Sequence, residues 1–217
     1  GGMDKDIGNA PTCQALLVID VQESFRQCDG WRAISNPAIV DDVNRLVTAA
    51  RERGQIVIWV LHADPGSGTV FDPASGHVRL MDGLSPSPDE AVLTKSAHNA
   101  FTTTSLQLLL TRHGIRRVTI CGIRTEQCCE TTARLARDLG FDVVFVTEAT
   151  ATTPLPHRDL GEAAPLEQIL TDPRTLPVGE VIARTEYALA GRFATIATIA
   201  EVTGAATAAT VATAAVP

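Results

Sequence analysis

Short apolar runs separated by amphipathic helical stretches limit what this chain can fold into more than any other feature. The runs are Ala15 to Asp20 (ALLVID), Ile56 to Leu61 (IVIWVL), Ala91 to Thr94, Arg117 to Cys121 (RVTIC) and Asp142 to Thr147 (DVVFVT). Continuous apolar segments of this length are strands buried on both faces. Between the first two, Ile39, Val40, Val43, Leu46, Val47 and Ala50 fall at helical spacing, after the cap pair Asn36-Pro37 and before Gly54. Strand, crossover helix, strand is the pattern of a parallel sheet covered on both faces.

The rest of the chain extends this pattern. Thr103 or Thr104 can cap a helix carrying Leu106, Leu109 and Leu110, which stops at His113-Gly114. Gly122 to Thr125 forms a tight turn into a helix from about Glu126 to Leu139, ended by Gly140. Beyond the fifth strand, Thr152 to His157 is broken by prolines. Short helices are expected at Ala164 to Leu170 and Val178 to Ala190, with a sixth strand at Phe193 to Ile199. The stretch from His62 to Pro88, loaded with Gly, Pro, Asp and Ser, is too long for a passive connection, and loops of this length usually carry function.

One domain is expected over residues 13–202. At 217 residues a single core buries roughly 70% of the unfolded surface, so no metal or disulfide scaffold is needed. Gly1-Gly2-Met3 reads as an expression scar, residues 1–12 as a flexible start, and residues 203–217 as an Ala/Thr-rich tail. That tail is too short and too weakly apolar to cross a bilayer, which takes ~20 apolar residues. The five cysteines are odd in number and irregularly spaced, which indicates free thiols in a reducing cytoplasm. A net charge of -7 and few aromatic residues argue against a nucleic-acid partner.

Three reactive side chains fall at the carboxyl ends of strands, where open parallel sheets place their sites. They are Asp20, Lys95 and, just past the fourth strand, Cys128. A thiol in the first turn of a helix sees the positive end of the helix dipole, and a neighbouring ammonium would favour its thiolate further. Asp20 could then take the thiol proton and return it to a leaving amine. Taken singly, the same three residues are as readily a capping carboxylate, a solvated charge and a small buried hydrophobe.

The segments Ala15 to Phe25 (ALLVIDVQESF), Lys95 to Leu110 (KSAHNAFTTTSLQLLL) and Gly122 to Ala133 (GIRTEQCCETTA) resemble the isochorismatase-like cysteine hydrolases. The resemblance implies a three-layer α/β/α sandwich with a mostly parallel, six-stranded, Rossmann-like sheet. It implies Cys128 as nucleophile, Asp20 as general base and Lys95 as the residue that orients and polarises both. It also implies a cis peptide at Ile123-Arg124, aiming the backbone N–H groups of Arg124 and Cys128 at an oxyanion. In that register Cys129, rotated by about 100° on a helix, is a packing thiol.

Two departures bear on the substrate. Metal-dependent members carry an Asp-x-His pair after the second strand; here the order is inverted, His62-Ala63-Asp64, and no metal or other cofactor is expected. Isochorismate-cleaving members lack the catalytic cysteine, so Cys128 argues for carbonyl chemistry. The expected activity is hydrolysis of a C–N bond in a small amide or ureide through a thioester acyl-enzyme. The alternatives are a non-catalytic small-molecule binder of the same fold and an isochorismatase-type ether hydrolase. Phe25, Trp31, His62, Phe101 and Arg124 are candidate substrate contacts. The Arg124 guanidinium could clamp a substrate carboxylate or point into solvent or a subunit contact. The glycine-rich loop is either a lid or a subunit contact, and the resemblance implies a homodimer or larger homo-oligomer.

Overall fold

A computed structural model describes residues 13–204, so the expectations for residues 1–12 and for most of the tail lie outside the described residues. Six strands form one sheet in the order β3-β2-β1-β4-β5-β6, with every neighbouring pair parallel. They are β1 (Gln14–Ile19), β2 (Ile56–His62), β3 (Ala91–Lys95), β4 (Arg117–Ile123), β5 (Asp142–Ala151) and β6 (Thr195–Ile196). The central strand β1 is buried at all six positions, which is why its sequence shows no polar alternation.

Helices cover both faces. On one, α2 (Ile39–Glu52) buries Ile39, Val43, Leu46 and Val47 against Val18, Trp59 and Val146, joined by α7 (Ile199–Thr203) through Ile199. On the other, α3 (Leu106–Arg112), α4 (Glu130–Asp138) and α6 (Val178–Leu189) bring Leu106, Leu110, Ala133, Ala136 and Leu189 onto Leu17, Ile58 and Phe145. Each fully buried aliphatic side chain contributes roughly 1.5–3 kcal/mol relative to exposure. Two smaller helices, α1 (Glu23–Arg26) and α5 (Leu166–Thr171), flank the carboxyl end of the sheet.

Several local expectations change. The sixth strand has two residues rather than the stretch Phe193 to Ile199, and Ile199 instead opens α7 behind a capping box formed by Thr198 and Glu201. That helix runs through Thr203, one residue into the expected tail. The helix after β4 begins as a π-turn, Thr125–Cys129, closed by the Cys129 N–H donating to the Arg124 carbonyl at 3.2 Å. Cys128 therefore sits in a widened turn instead of the first turn of an α-helix, a distortion common at functional sites. The N-cap of α3 is Ser105, which makes no side-chain cap bond, rather than Thr103 or Thr104; the Thr104 hydroxyl, one residue earlier, accepts from the Leu106 N–H at 3.1 Å.

The strand order reverses between β1 and β4, and that switch point opens a crevice at the carboxyl edge. Gly122 closes the contact between the two strands. It lies opposite Ile19 with φ 131, and a Cβ there would come within 1.9 Å of the Ile19 carbonyl oxygen. Only glycine fits. On the far side β5 advances five positions, from Phe145 to Thr150, where β4 advances two, from Ile120 to Gly122. The resulting bulge brings the Thr150 hydroxyl under the π-turn, where it accepts from the Thr125 hydroxyl at 2.7 Å.

Candidate active site

Asp20 is the first residue past β1 and adopts φ 53, the left-handed region that an aspartate tolerates better than most residues. Its backbone N–H donates to the Val60 carbonyl at 2.8 Å, which holds the turn over the end of β2. Lys95 ends β3, two strands away, and lies in register with His62 at the end of β2. Its long side chain crosses β2 to reach the switch point.

There the Lys95 ammonium meets four groups. It donates to His62 Nδ1 at 2.8 Å, to the Ala97 carbonyl at 2.9 Å and to Cys128 Sγ at 3.3 Å. It also lies 3.0 Å from Asp20 Oδ2, with side-chain exposures of 0% for Lys95 and 1% for Asp20. Asp20 is thus in close ion-pair contact with Lys95, with the Cys128 thiol beside the same carboxylate.

Burial is the main cause of the site's acid-base character. It raises the Asp20 carboxyl above its ordinary value of 3.8, and the Lys95 charge offsets this only in part. The Cys128 thiol is pushed up to about 12, first by burial and then by the Asp20 charge, with Lys95 pulling the other way. Burial thus outweighs the Lys95 charge that favours the thiolate. At neutral pH the resting thiol is therefore protonated, and it needs a base. Cys129 is fully buried in the core beside Ala133 and Ala136, and burial holds its thiol well above the ordinary value.

The three catalytic candidates therefore converge. The Ile123–Arg124 peptide is cis, as expected from the resemblance. Asp20 and Cys128 reach the floor of a cavity of about 590 Å³. Of the expected substrate contacts, Phe25, His62 and Arg124 line it, whereas Trp31 and Phe101 do not. Trp31 lies in the 3-10 turn Asp29–Ala33, where its ring faces the Arg26 guanidinium at 5.8 Å. Phe101 is 7% exposed and stacks on Phe141 inside the core. The Arg124 guanidinium sits 5.7 Å over the Phe25 ring and donates to the Thr153 hydroxyl at 2.9 Å. Among the described residues no carboxylate lies at ion-pair distance from it.

The outer wall comes from two loops. Phe71, in the glycine-rich loop after β2, packs edge-on against Phe25 with centroids 5.1 Å apart, so that loop builds part of the pocket. The proline-broken segment after β5 and the start of α5 supply Thr153, Pro154, Leu155, Pro165, Leu166 and Ile169. The sequence offered only a weak signal for this second wall, the run of prolines at Pro154, Pro156 and Pro165. Cys28 and Gln127 also line the cavity.

Asp20, His62 and Cys128 place metal-type donor atoms within 4.8 Å of one another. The cation they surround is the Lys95 ammonium, and both ring nitrogens of His62 are engaged, Nδ1 with Lys95 and Nε2 with Asp64 Oδ1 at 2.9 Å. The inverted His62-Ala63-Asp64 order thus serves an internal contact. Among the described residues no helix is long and apolar enough to cross a membrane.

The sequence profile of the isochorismatase domain matches residues 14–164. An isochorismatase family protein of Bacillus subtilis, YrdC, is 29% identical over 138 residues, 64% of this chain and 73% of that protein. A streptothricin hydrolase of Streptomyces noursei is 34% identical over 154 residues, 70% of this chain but 55% of that protein, so the chain spans about half its length. Nicotinamidase 3 of Arabidopsis thaliana is 34% identical over 153 residues, 64% of this chain and 73% of its own. The crystal structure of an isochorismatase from Pseudomonas putida superposes with a TM-score of 0.72 at 27% identity, covering 89% of this chain and 93% of the other. A cysteine hydrolase from Pseudomonas syringae shares the fold, with a TM-score of 0.76 at 23% identity over 93% and 95% of the two chains.

Proposed function

The chain belongs to the isochorismatase family of hydrolases, and from that premise we propose that it cleaves the C–N bond of a small amide or ureide through a thioester on Cys128. The observation that carries this reading is the Lys95 ammonium, buried between the Cys128 thiol and the Asp20 carboxylate and within 3.3 Å of both.

In the proposed sequence, Sγ attacks the carbonyl carbon as its proton passes to Asp20. The raised basicity of Asp20 brings it nearer the thiol and eases that transfer. Charge collects on the carbonyl oxygen, for which the backbone N–H groups of Arg124 and Cys128 are the proposed donors; one such donor typically contributes ~3 kcal/mol. The oxyanion collapses, the C–N bond breaks, and protonated Asp20 gives its proton to the departing nitrogen. Water then attacks the thioester with Asp20 again as base, which releases the acid and restores the thiol. Lys95 keeps its charge throughout, stabilising first the carboxylate and then the sulfur as it loses its proton.

Arg124 narrows the substrate. A guanidinium that lines the cavity without an acidic partner supports a carboxylate on the ligand, which it would hold in a charge-assisted pair. The five free cysteines suit the proposed reducing cytoplasm, and a homodimer or larger assembly is testable by light scattering. The decisive screen measures ammonia or amine release from carboxylate-bearing amides and carbamoyl compounds. Turnover is expected in the parent and its loss in a folded Cys128→Ala; equal turnover in the two would overturn the proposal.

A further inference from the structure

The cavity is far larger than the groups that react in it. At about 590 Å³ it falls within the ~300–1,000 Å³ typical of sites for drug-sized ligands, so urea or acetamide would leave most of it to water. Its lining divides into two parts. The polar part is the floor, with Asp20, His62 and Cys128, together with Arg124. The apolar part comes from two separate segments: Phe25 of α1 with Phe71 of the glycine-rich loop, and Leu155 with Leu166 and Ile169 of α5. The two phenyl rings form a continuous strip from His62 to Arg124. Phe71 meets the His62 ring at 5.9 Å and the Phe25 ring at 5.1 Å, and Phe25 lies under the Arg124 guanidinium at 5.7 Å.

Arg124 also limits how far apart the ligand's polar groups can be. Its backbone N–H is a proposed donor to the scissile carbonyl and its guanidinium the proposed partner of a carboxylate, so both groups meet one residue and lie only a few bonds apart. The acids around the cavity offer no comparable seat for a cation. Asp20 is paired with Lys95 at 3.0 Å, Asp64 with His62 at 2.9 Å and Asp29 with Arg32 at 2.8 Å, and Glu162 is exposed to solvent. We infer that the substrate is an amphipathic carboxylate, an amide or ureide on the nitrogen of an amino acid whose side chain is apolar and bulky. Arg124 holds the carboxylate while the side chain packs on Phe25, Phe71, Leu155, Leu166 and Ile169. Full burial of a leucine-sized group corresponds to roughly 10–100-fold in affinity. A polar group of the same shape forfeits that gain, because its amide would enter the wall without partners. The inference deepens the proposed reaction and rests on it for the bond that breaks; the recognition of side chain and carboxylate does not.

The test measures binding by titration calorimetry to folded Cys128→Ala. The probes are glycine, leucine, asparagine and lysine, each blocked on its α-nitrogen with acetyl or with carbamoyl and each supplied as both enantiomers. They share the carboxylate and the amide or ureide and differ in the side chain. The leucine probe is expected to bind ~10-fold or more tighter than the glycine and asparagine probes, and tighter than the lysine probe. Adding Ile169→Ala or Phe71→Ala is expected to weaken the leucine probe several-fold and leave the glycine probe within about twofold. Adding Arg124→Gln is expected to weaken all four by a similar factor. Equal affinities for glycine, leucine and asparagine overturn the inference, as do tightest binding by asparagine or lysine and the absence of binding by all four. A leucine preference that survives both wall variants overturns it too, since the side chain would then lie elsewhere. Selective binding of the leucine probe with no hydrolysis by the parent would strike the proposed reaction and leave the recognition standing, so the two failures are separable.

Discussion

The floor and the outer wall of the cavity are built by different rules. The floor sits on strand ends: Asp20 after β1, His62 at the end of β2, Lys95 ending β3 and Cys128 in the turn after β4. Parallel pairing fixes their separations, and Asp20 and Lys95 are buried almost completely. The wall sits on loops, where Phe71, Leu155 and Pro165 face the cavity from segments with few backbone ladders. Rigid strand ends suit a reaction that depends on distances of about 3 Å, and loops suit selection among ligands. Floor changes should therefore act on kcat and wall changes on KM.

The largest effect is expected at the thiol. Cys128→Ala should cost ~10⁴-fold or more in turnover, whereas Cys129→Ala, one residue away in the core, should leave it within a few-fold by steady-state assay. Asp20→Asn should cost ~10³–10⁴-fold. The same variant removes a charge that raises the Cys128 pKa, so iodoacetamide should label Cys128 faster at fixed pH while hydrolysis falls. Slower labelling in Asp20→Asn would contradict the account of the resting thiol.

At the boundary between floor and wall, Arg124→Gln should lower kcat/KM for a carboxylate-bearing substrate by ~10–100-fold and leave an uncharged amide nearly unaffected, in line with the 1.5–3 kcal/mol of charged hydrogen bonds. Ionised Asp20 is the proposed base and its pKa is raised by burial. Activity should therefore be complete well above that pKa and be lost as pH falls through it, placing the acid limb higher than an ordinary aspartate's. The smallest effect is expected at the wall: Ile169→Ala should raise KM a few-fold and leave kcat within a factor of two.

Much of the floor could be read in the sequence because it follows from local rules. An apolar run that ends on Asp20 or Lys95 marks a strand end, while the choice of Cys128 over Cys129 comes from the resemblance of Gly122 to Ala133 to the cysteine hydrolases. What escaped depends on distant segments meeting. The two-residue β6 reads as longer because Phe193 and Ile199 are apolar for other reasons, Phe193 lying under the Arg134 guanidinium and Ile199 opening a helix. The protonated state of Cys128 follows from burial and the Asp20 charge, neither of which a motif displays. Phe101 reads as a pocket residue from its place after Lys95, yet Phe141, forty positions on, draws it into the core. The wall after β5 was the least legible part, since Leu166 and Ile169 reach the cavity only through the packing of α5.

The thioester is the central claim, and mass spectrometry of the enzyme quenched in acid during turnover tests it most directly. The account predicts an added mass equal to the acyl part of the substrate, mapped to the peptide containing Cys128, absent in Cys128→Ala and accumulating when the Asp20-dependent second step is slowed. Steady turnover by the parent with no such adduct, together with undiminished turnover by Cys128→Ala, would contradict it.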